Sequence, residues 1–219
     1  MFFDELEQML SSSRHQIITG EEFEKLLLAC AASNEEEQLA ERAVARNRAI
    51  LWAFYDTGIR VCELTNLRVG DFDRKQGLIT VKGKGSKERR IALGQNCLRN
   101  LLHYLDYHRP NEQELAEWGS LSEDHLLLSE TRQPMTKNGI TLLFARLKER
   151  AGITGKRMSP HTFRRTFALR YLELSHDPFS LQKLLGYEDM AMIKCHMQIP
   201  SILSGPKVTR RRGFRAKKQ

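Results

Sequence analysis

Ser159-Pro160-His161-Thr162-Phe163-Arg164-Arg165 is the stretch on which the reading of this chain turns. Ser159 carries the side chain of an N-cap and Pro160 the fixed φ suited to a first helical position, so a helix is predicted to begin here. His161 and Arg164 then stand three residues apart, on one face close to the helix N-terminus. The partial positive charge of that terminus, its backbone N–H groups, a guanidinium fork and an imidazole all suit one kind of ligand, an anion of the phosphate type.

The charge distribution points the same way. The 219 residues carry a net +8. Residues 1–41 hold ten acidic and two basic groups, while residues 207–219 hold seven basic groups and no acid. That leaves +9 on residues 42–206, a body basic in its own right, as a polyanionic partner such as nucleic acid requires. Cys30, Cys62, Cys97 and Cys195 form no C-x-x-C pair, so neither a zinc site nor a disulfide framework is indicated. Met1-Phe2-Phe3-Asp4-Glu5 lacks the basic start of a signal peptide, and no apolar run approaches a membrane span. A reduced, cytoplasmic protein is the expectation.

Working outward, residues 1–16 read as a short acidic lead. Thr19 and Glu22 form a capping box ahead of Phe23, Leu26, Leu27 and Cys30 at helical spacing. Asn34 caps a longer predicted helix carrying Leu39, Ala43, Ile50, Trp52 and Phe54, which stops near Gly58. A short helix is predicted to begin around Arg60, with Val61, Leu64 and Leu67 on its buried side. From Leu78 to Leu93 the pattern turns to β: Leu78–Val81 and Arg89–Leu93 flank the basic turn Lys82-Gly83-Lys84-Gly85-Ser86-Lys87, which reads as a hairpin. Helices are predicted over roughly 95–108, 138–151, 160–174 and 178–186, with a short strand at Leu126-Leu127-Leu128 and with Phe163, Phe167 and Leu169 in the core. The class is mainly α with a small antiparallel β-sheet (α+β).

Four segments then combine. Asp56-Thr57-Gly58-Ile59-Arg60-Val61-Cys62-Glu63-Leu64, the Gly83-Lys84-Gly85 turn, His161-Thr162-Phe163-Arg164 and Leu184-Leu185-Gly186 resemble, in this order, the catalytic domain of the tyrosine recombinases, the phage integrase family. Each piece alone is weak; the ordered set is specific, and it covers residues 17–198. The resemblance implies the DNA breaking-rejoining fold and site-specific recombination or integration through a 3′-phosphotyrosyl intermediate, as in a mobile element. It implies double-stranded DNA as partner and no cofactor, because phosphotyrosyl chemistry conserves the phosphodiester energy. By the same resemblance, Arg60 and Arg164 hold the non-bridging oxygens, Lys84 is the general acid toward the leaving 5′-oxygen, and His161 assists proton transfer or orients the phosphate.

Two departures limit what is implied. Tyr187 stands where the family usually has histidine or tryptophan, a change that keeps a hydrogen-bond donor. His196 stands where the family carries its tyrosine nucleophile, and an imidazole nitrogen lies roughly 2 Å closer to the backbone than a phenolic oxygen. Ile193 and Cys195 replace a common threonine and a common basic residue. Counted from histidine at 187, threonine at 193, arginine at 195 and tyrosine at 196, all four changes are reachable by one pyrimidine transition, as in mutational decay, and Ile199 to Pro206 no longer resemble the polar helix of relatives, as after a frameshift. The expected organisation is a residual stub at 1–16 with the core-binding domain missing, a catalytic domain at 17–198 and an atypical basic, disordered tail at 199–219. Cleavage is expected to be impaired. The alternative is a non-catalytic DNA-binding or dimerising module that competes with an intact integrase. Relatives self-associate on DNA through a C-terminal helix, for which the altered ending is poorly suited.

Overall fold

The computed structural model describes residues 17–31, 37–83, 88–117, 124–175 and 177–186. Helix α1 (Gly20–Ala29) starts at the capping box: Glu22 N–H donates to Thr19 Oγ1 at 3.2 Å, and Thr19 N–H donates to Glu22 Oε2 at 2.9 Å. Its apolar stripe, Phe23, Leu26 and Ala29, is buried. Phe23 stacks on Tyr55 with ring centres 3.8 Å apart and meets Trp52 edge-on at 4.9 Å, which seats α1 on helix α2 (Glu37–Thr57). The cap assigned to Asn34 lies outside the described residues.

Helix α2 ends where its sequence has glycine. Gly58 takes φ 59°, the left-handed region, and an added Cβ there would lie 2.7 Å from the Phe167 ring. Both strain and overlap would follow, so Gly58→Ala is expected to destabilise the fold by roughly 2–3 kcal/mol, read as a lowered urea midpoint at unchanged slope. The next helix, α3 (Val61–Thr65), takes Arg60 as its N-cap instead of its first residue. Leu64 and Leu67 are buried as expected, whereas Val61 is only partly covered.

The sheet has three antiparallel strands in the order β1 (Phe72–Asp73), β2 (Leu78–Lys82) and β3 (Glu88–Ala92). Its hairpin is the one predicted, extended at the turn end to Lys82 and Glu88, which form an ion pair at 3.7 Å, and ending at Ala92, one residue short of the predicted Leu93. Ile79 faces Ile91 and Val81 faces Arg89, so all four side chains share the inward side of the pleat. Strand β1 was too short to leave a period-2 signal.

The predicted strand at Leu126–Leu128 does not form. Its three leucines are buried, but their backbone bonds scatter: Leu126 N–H to Leu67 O, Leu128 N–H to the Tyr104 hydroxyl, and Leu127 O from Met135 N–H. Hydrogen bonds to three separate segments satisfy a buried backbone without building a ladder. The predicted helix over 95–108 also divides, into α4 (Gln95–His103) and a π-helical turn (Tyr104–His108). A short helix not foreseen, α5 (Glu112–Glu117), follows an Asn111–Glu114 capping box.

Helices α6 (Lys137–Arg150), α7 (Pro160–Ser175) and α8 (Pro178–Leu185) lie within one residue of their predicted bounds. The Ser159 cap is present, with Thr162 N–H donating to Ser159 Oγ at 3.2 Å. Asp177 caps α8 by accepting from Phe179 and Ser180 N–H, and Gly186 closes it at φ 63°.

Phe54, Phe144 and Phe163 sit at the centre of the main core, with ring centres 4.8 to 6.1 Å apart. A second, smaller cluster joins α7 to α8 through Ala168, Leu169, Leu172, Leu181 and Leu185. Phe167, expected in the core, packs only partly buried against this cluster, where it fills the space beside Gly58. Cys30, Cys62 and Cys97 are free thiols, and burial pushes the Cys30 thiol up to about 12. No helix among the described residues is long and apolar enough to cross a membrane.

Candidate active site

The end of α8 assembles the site. The last carbonyls of any helix lack intrahelical partners and carry the negative end of its dipole. Here three successive ones each accept from a different arginine. Arg89 Nε donates to Leu184 O at 2.9 Å, Arg164 Nη2 to Leu185 O at 2.7 Å, and Arg60 Nη2 to Gly186 O at 3.0 Å. These three guanidinium groups come from β3, α7 and the N-cap of α3, so one helix end gathers elements separated by about a hundred residues of sequence.

Glu63 is the counter-charge shared by Arg60 and Arg89. Its side chain is 4% exposed and accepts from Arg89 Nη1 and Nη2 at 2.7 and 2.8 Å, from Arg60 Nη1 at 2.9 Å and from Arg60 N–H at 2.9 Å. Burial by itself would raise its pKa; the hydrogen bonds and charges of Arg89 and Arg60 outweigh burial and hold the carboxyl below the usual carboxylate range. The bidentate Arg89 fork gives the pair directional rigidity that a lysine would lack. Three guanidiniums and one carboxylate leave these four side chains with a formal charge of +2.

The two glycines of the motifs have steric roles in the same place. Gly58 O accepts from Arg164 Nη1 at 2.7 Å, and the Thr57 hydroxyl accepts from Ile59 N–H, fixing the turn that presents Arg60. A Cβ on Gly186 would lie 2.9 Å from Arg89 Nη1, so the absence of a side chain lets the guanidinium approach the helix end.

Of the sequence-predicted residues, Arg60 and Arg164 are brought together at Gly58 and the end of α8. Arg164 is 5% exposed and directed inward, whereas His161 is exposed on the first turn of α7, so the two differ in burial although they share the helix start. The Arg60–Glu63 pair is present at 2.9 Å, and its carboxylate is buried. Lys84, Tyr187 and His196 lie outside the described residues, as do Ile193 and Cys195. Sequence reading missed Arg89 and the central role of Glu63. The signal for Arg89 was its parity with Ile91: in a strand, residues two apart point to the same side. Among the described residues, no group of three or more His, Cys, Asp or Glu is placed to hold a metal ion.

A mainly helical domain with a three-stranded antiparallel sheet, organised around an arginine cluster at a helix end, defines a class that comparison with known proteins makes specific. Residues 16–199 match the model of the phage integrase family, and the chain belongs to that family. It is 32% identical over 154 residues to the tyrosine recombinase XerC of Lactobacillus leichmannii, covering 70% of this chain and 50% of the relative. Among solved structures, the XerA recombinase superposes with a TM-score of 0.66 at 25% identity, over 85% of this chain and 61% of that one. The XerH site-specific recombinase bound to its difH substrate gives a TM-score of 0.65 at 22% identity, over 83% and 49%, a likeness of fold. The chain spans about half the length of the curated relatives it matches.

Proposed function

We propose that residues 17–198 are a recombinase catalytic domain that binds duplex DNA and holds one backbone phosphodiester at the arginine cluster. The observation that carries this reading is the convergence of Arg60, Arg89 and Arg164 on the carbonyls of Leu184, Leu185 and Gly186, with Glu63 shared by Arg60 and Arg89. Carbonyls and carboxylate fix the guanidinium planes in advance, and preorganised donors stabilise charge that develops on phosphate oxygens without reorganising. Arg60, with its side chain a third exposed, is the most solvent-accessible member of the cluster. In this reading Arg60 and Arg164 hold the non-bridging oxygens, His161 assists proton transfer, Lys84 is the acid toward the leaving 5′-oxygen and Tyr187 donates a hydrogen bond. His196 at the nucleophile position leaves phosphate binding in place and impairs strand cleavage.

The test uses a labelled duplex and a nicked suicide substrate with the unmodified chain. Retention is expected to fall with salt, the logarithm of affinity losing about 0.9 per phosphate contact for each decade of salt. Arg60→Ala should weaken retention, and no covalent adduct should form. Absence of salt-sensitive retention sinks DNA binding; an adduct mapped to His196 or Tyr187 sinks the claim of impaired cleavage. Retention without adduct, joined to inhibition of an intact relative, identifies the role as competitor.

A further inference from the structure

His103 closes α4, and His108 closes the π-helical turn behind it. A π turn holds one residue more than an α turn, so residues five apart come to lie one above the other. Arg109 N–H donates to Tyr104 O at 2.7 Å, the five-residue bond that marks this geometry. The two imidazoles meet edge to edge as a result. Their Nε2 atoms are 3.1 Å apart, their ring centres 4.7 Å apart and their planes inclined at 70°.

Two arrangements can be compared with those numbers. In a direct N–H···N hydrogen bond the donor aims along the acceptor's lone pair. With each ring centre about 1.15 Å behind its nitrogen, such an in-line pair places the centres about 5.4 Å apart. An ion bound by both nitrogens at about 2.05 Å, in the plane of both rings, gives a bent arrangement: the nitrogens subtend about 98° at the ion, and the centres close to about 4.8 Å. The two nitrogens are within hydrogen-bond distance of each other in the ion-free chain, and the observed 4.7 Å between ring centres also matches the bent arrangement.

The surroundings permit a cation. His103 is exposed and His108 half-buried, so the pair is reached from solvent. Glu41 and Arg42 on α2 act on His108 with opposite charges, and Asp106 on the same turn is neutralised by Arg74. Tyr107 stands beside His103, 77% exposed, with ring centres 5.5 Å apart.

We propose that His103 and His108 form a two-histidine chelate for a borderline first-row ion of the Zn²⁺, Ni²⁺ or Cu²⁺ class. Imidazole nitrogen suits these ions, and the coordination positions that two histidines leave are filled by water or by a group from a partner. Such a site is exchangeable, and its ion clips the end of α4 to the π turn. None of its residues belongs to the arginine cluster, so it stands or falls independently of the recombinase reading.

The experiment titrates the untagged full chain with zinc chloride and nickel chloride by calorimetry, with the histidine side-chain nitrogens followed by NMR. One saturable equivalent per chain is expected, with the Nε2 resonances of His103 and His108 moving together. His103→Gln and His108→Gln should each weaken binding by at least about tenfold. The double variant should lose the equivalent, while His15→Gln and His176→Gln retain it. Circular dichroism checks that the glutamine variants fold. The absence of a saturable equivalent, or its survival in the double variant, overturns the proposal.

Discussion

His196→Tyr is expected to turn a chain that retains DNA without linking to it into one that forms a covalent adduct with a suicide substrate. The reason is reach as well as chemistry. A tyrosine hydroxyl lies roughly 2 Å further from the backbone than an imidazole nitrogen, and a misplacement of about 1 Å at a reacting atom costs on the order of a hundredfold in rate. The adduct should appear at least about a hundredfold faster than with the parent chain and map to position 196 by mass spectrometry. Adding Arg164→Ala to the tyrosine variant should abolish it, because that guanidinium is bound to Gly58 O and Leu185 O and orders both sides of the cluster. Equal adduct yields with and without the tyrosine would show that position 196 does not supply the nucleophile.

The second large effect concerns stability. Glu63→Ala removes the carboxylate that Arg89 and Arg60 share and leaves Arg89, with a side chain only 15% exposed, without its bidentate partner. Breaking a buried pair from one side costs about 3–5 kcal/mol, which lowers the melting temperature by about 10 °C in a domain of this size. The same carboxyl gives a pH signature. Its folded pKa lies below its unfolded value, so its contribution is fully present above the unfolded value of about 4.3 and is lost as pH falls through the lower folded one. Glu63→Gln should therefore be less stable at neutral pH and show a shallower loss of stability on acidification. Urea midpoints measured at successive pH values decide this; an unchanged acid slope in the glutamine variant would mean that Glu63 is not held ionised by its arginines.

Much of the fold was legible because its devices are local. The Thr19–Glu22 box, the Ser159 start and the Gly58 stop act within a few residues, and each sits where the sequence placed it. What escaped depends on partners distant in sequence. The Leu126–Leu128 run has the composition of a strand, but Leu67, Tyr104 and Met135 claim its backbone bonds one at a time. The π turn differs from an α-helix by one residue, and periodicity over so short a span does not register it. In the site, Arg60 and Arg164 were found through motif residues, whereas Arg89 lay in a strand already read as the flank of a basic hairpin. Its parity with Ile91 was the one sequence signal, and the pairing register, with Val81 opposite Arg89, shows that its side chain faces inward.

Helix α8 buries only Leu181 and Leu185 of its own side chains, an apolar hold of about 1.5–3 kcal/mol each. Its remaining attachment to the body includes the three arginine–carbonyl bonds. If the arginine cluster is the proposed anion site, docking of α8 and assembly of that site are coupled. An anion that draws the guanidiniums together also fastens the helix, and its measured affinity is the intrinsic affinity scaled by the fraction of molecules in which α8 is already seated.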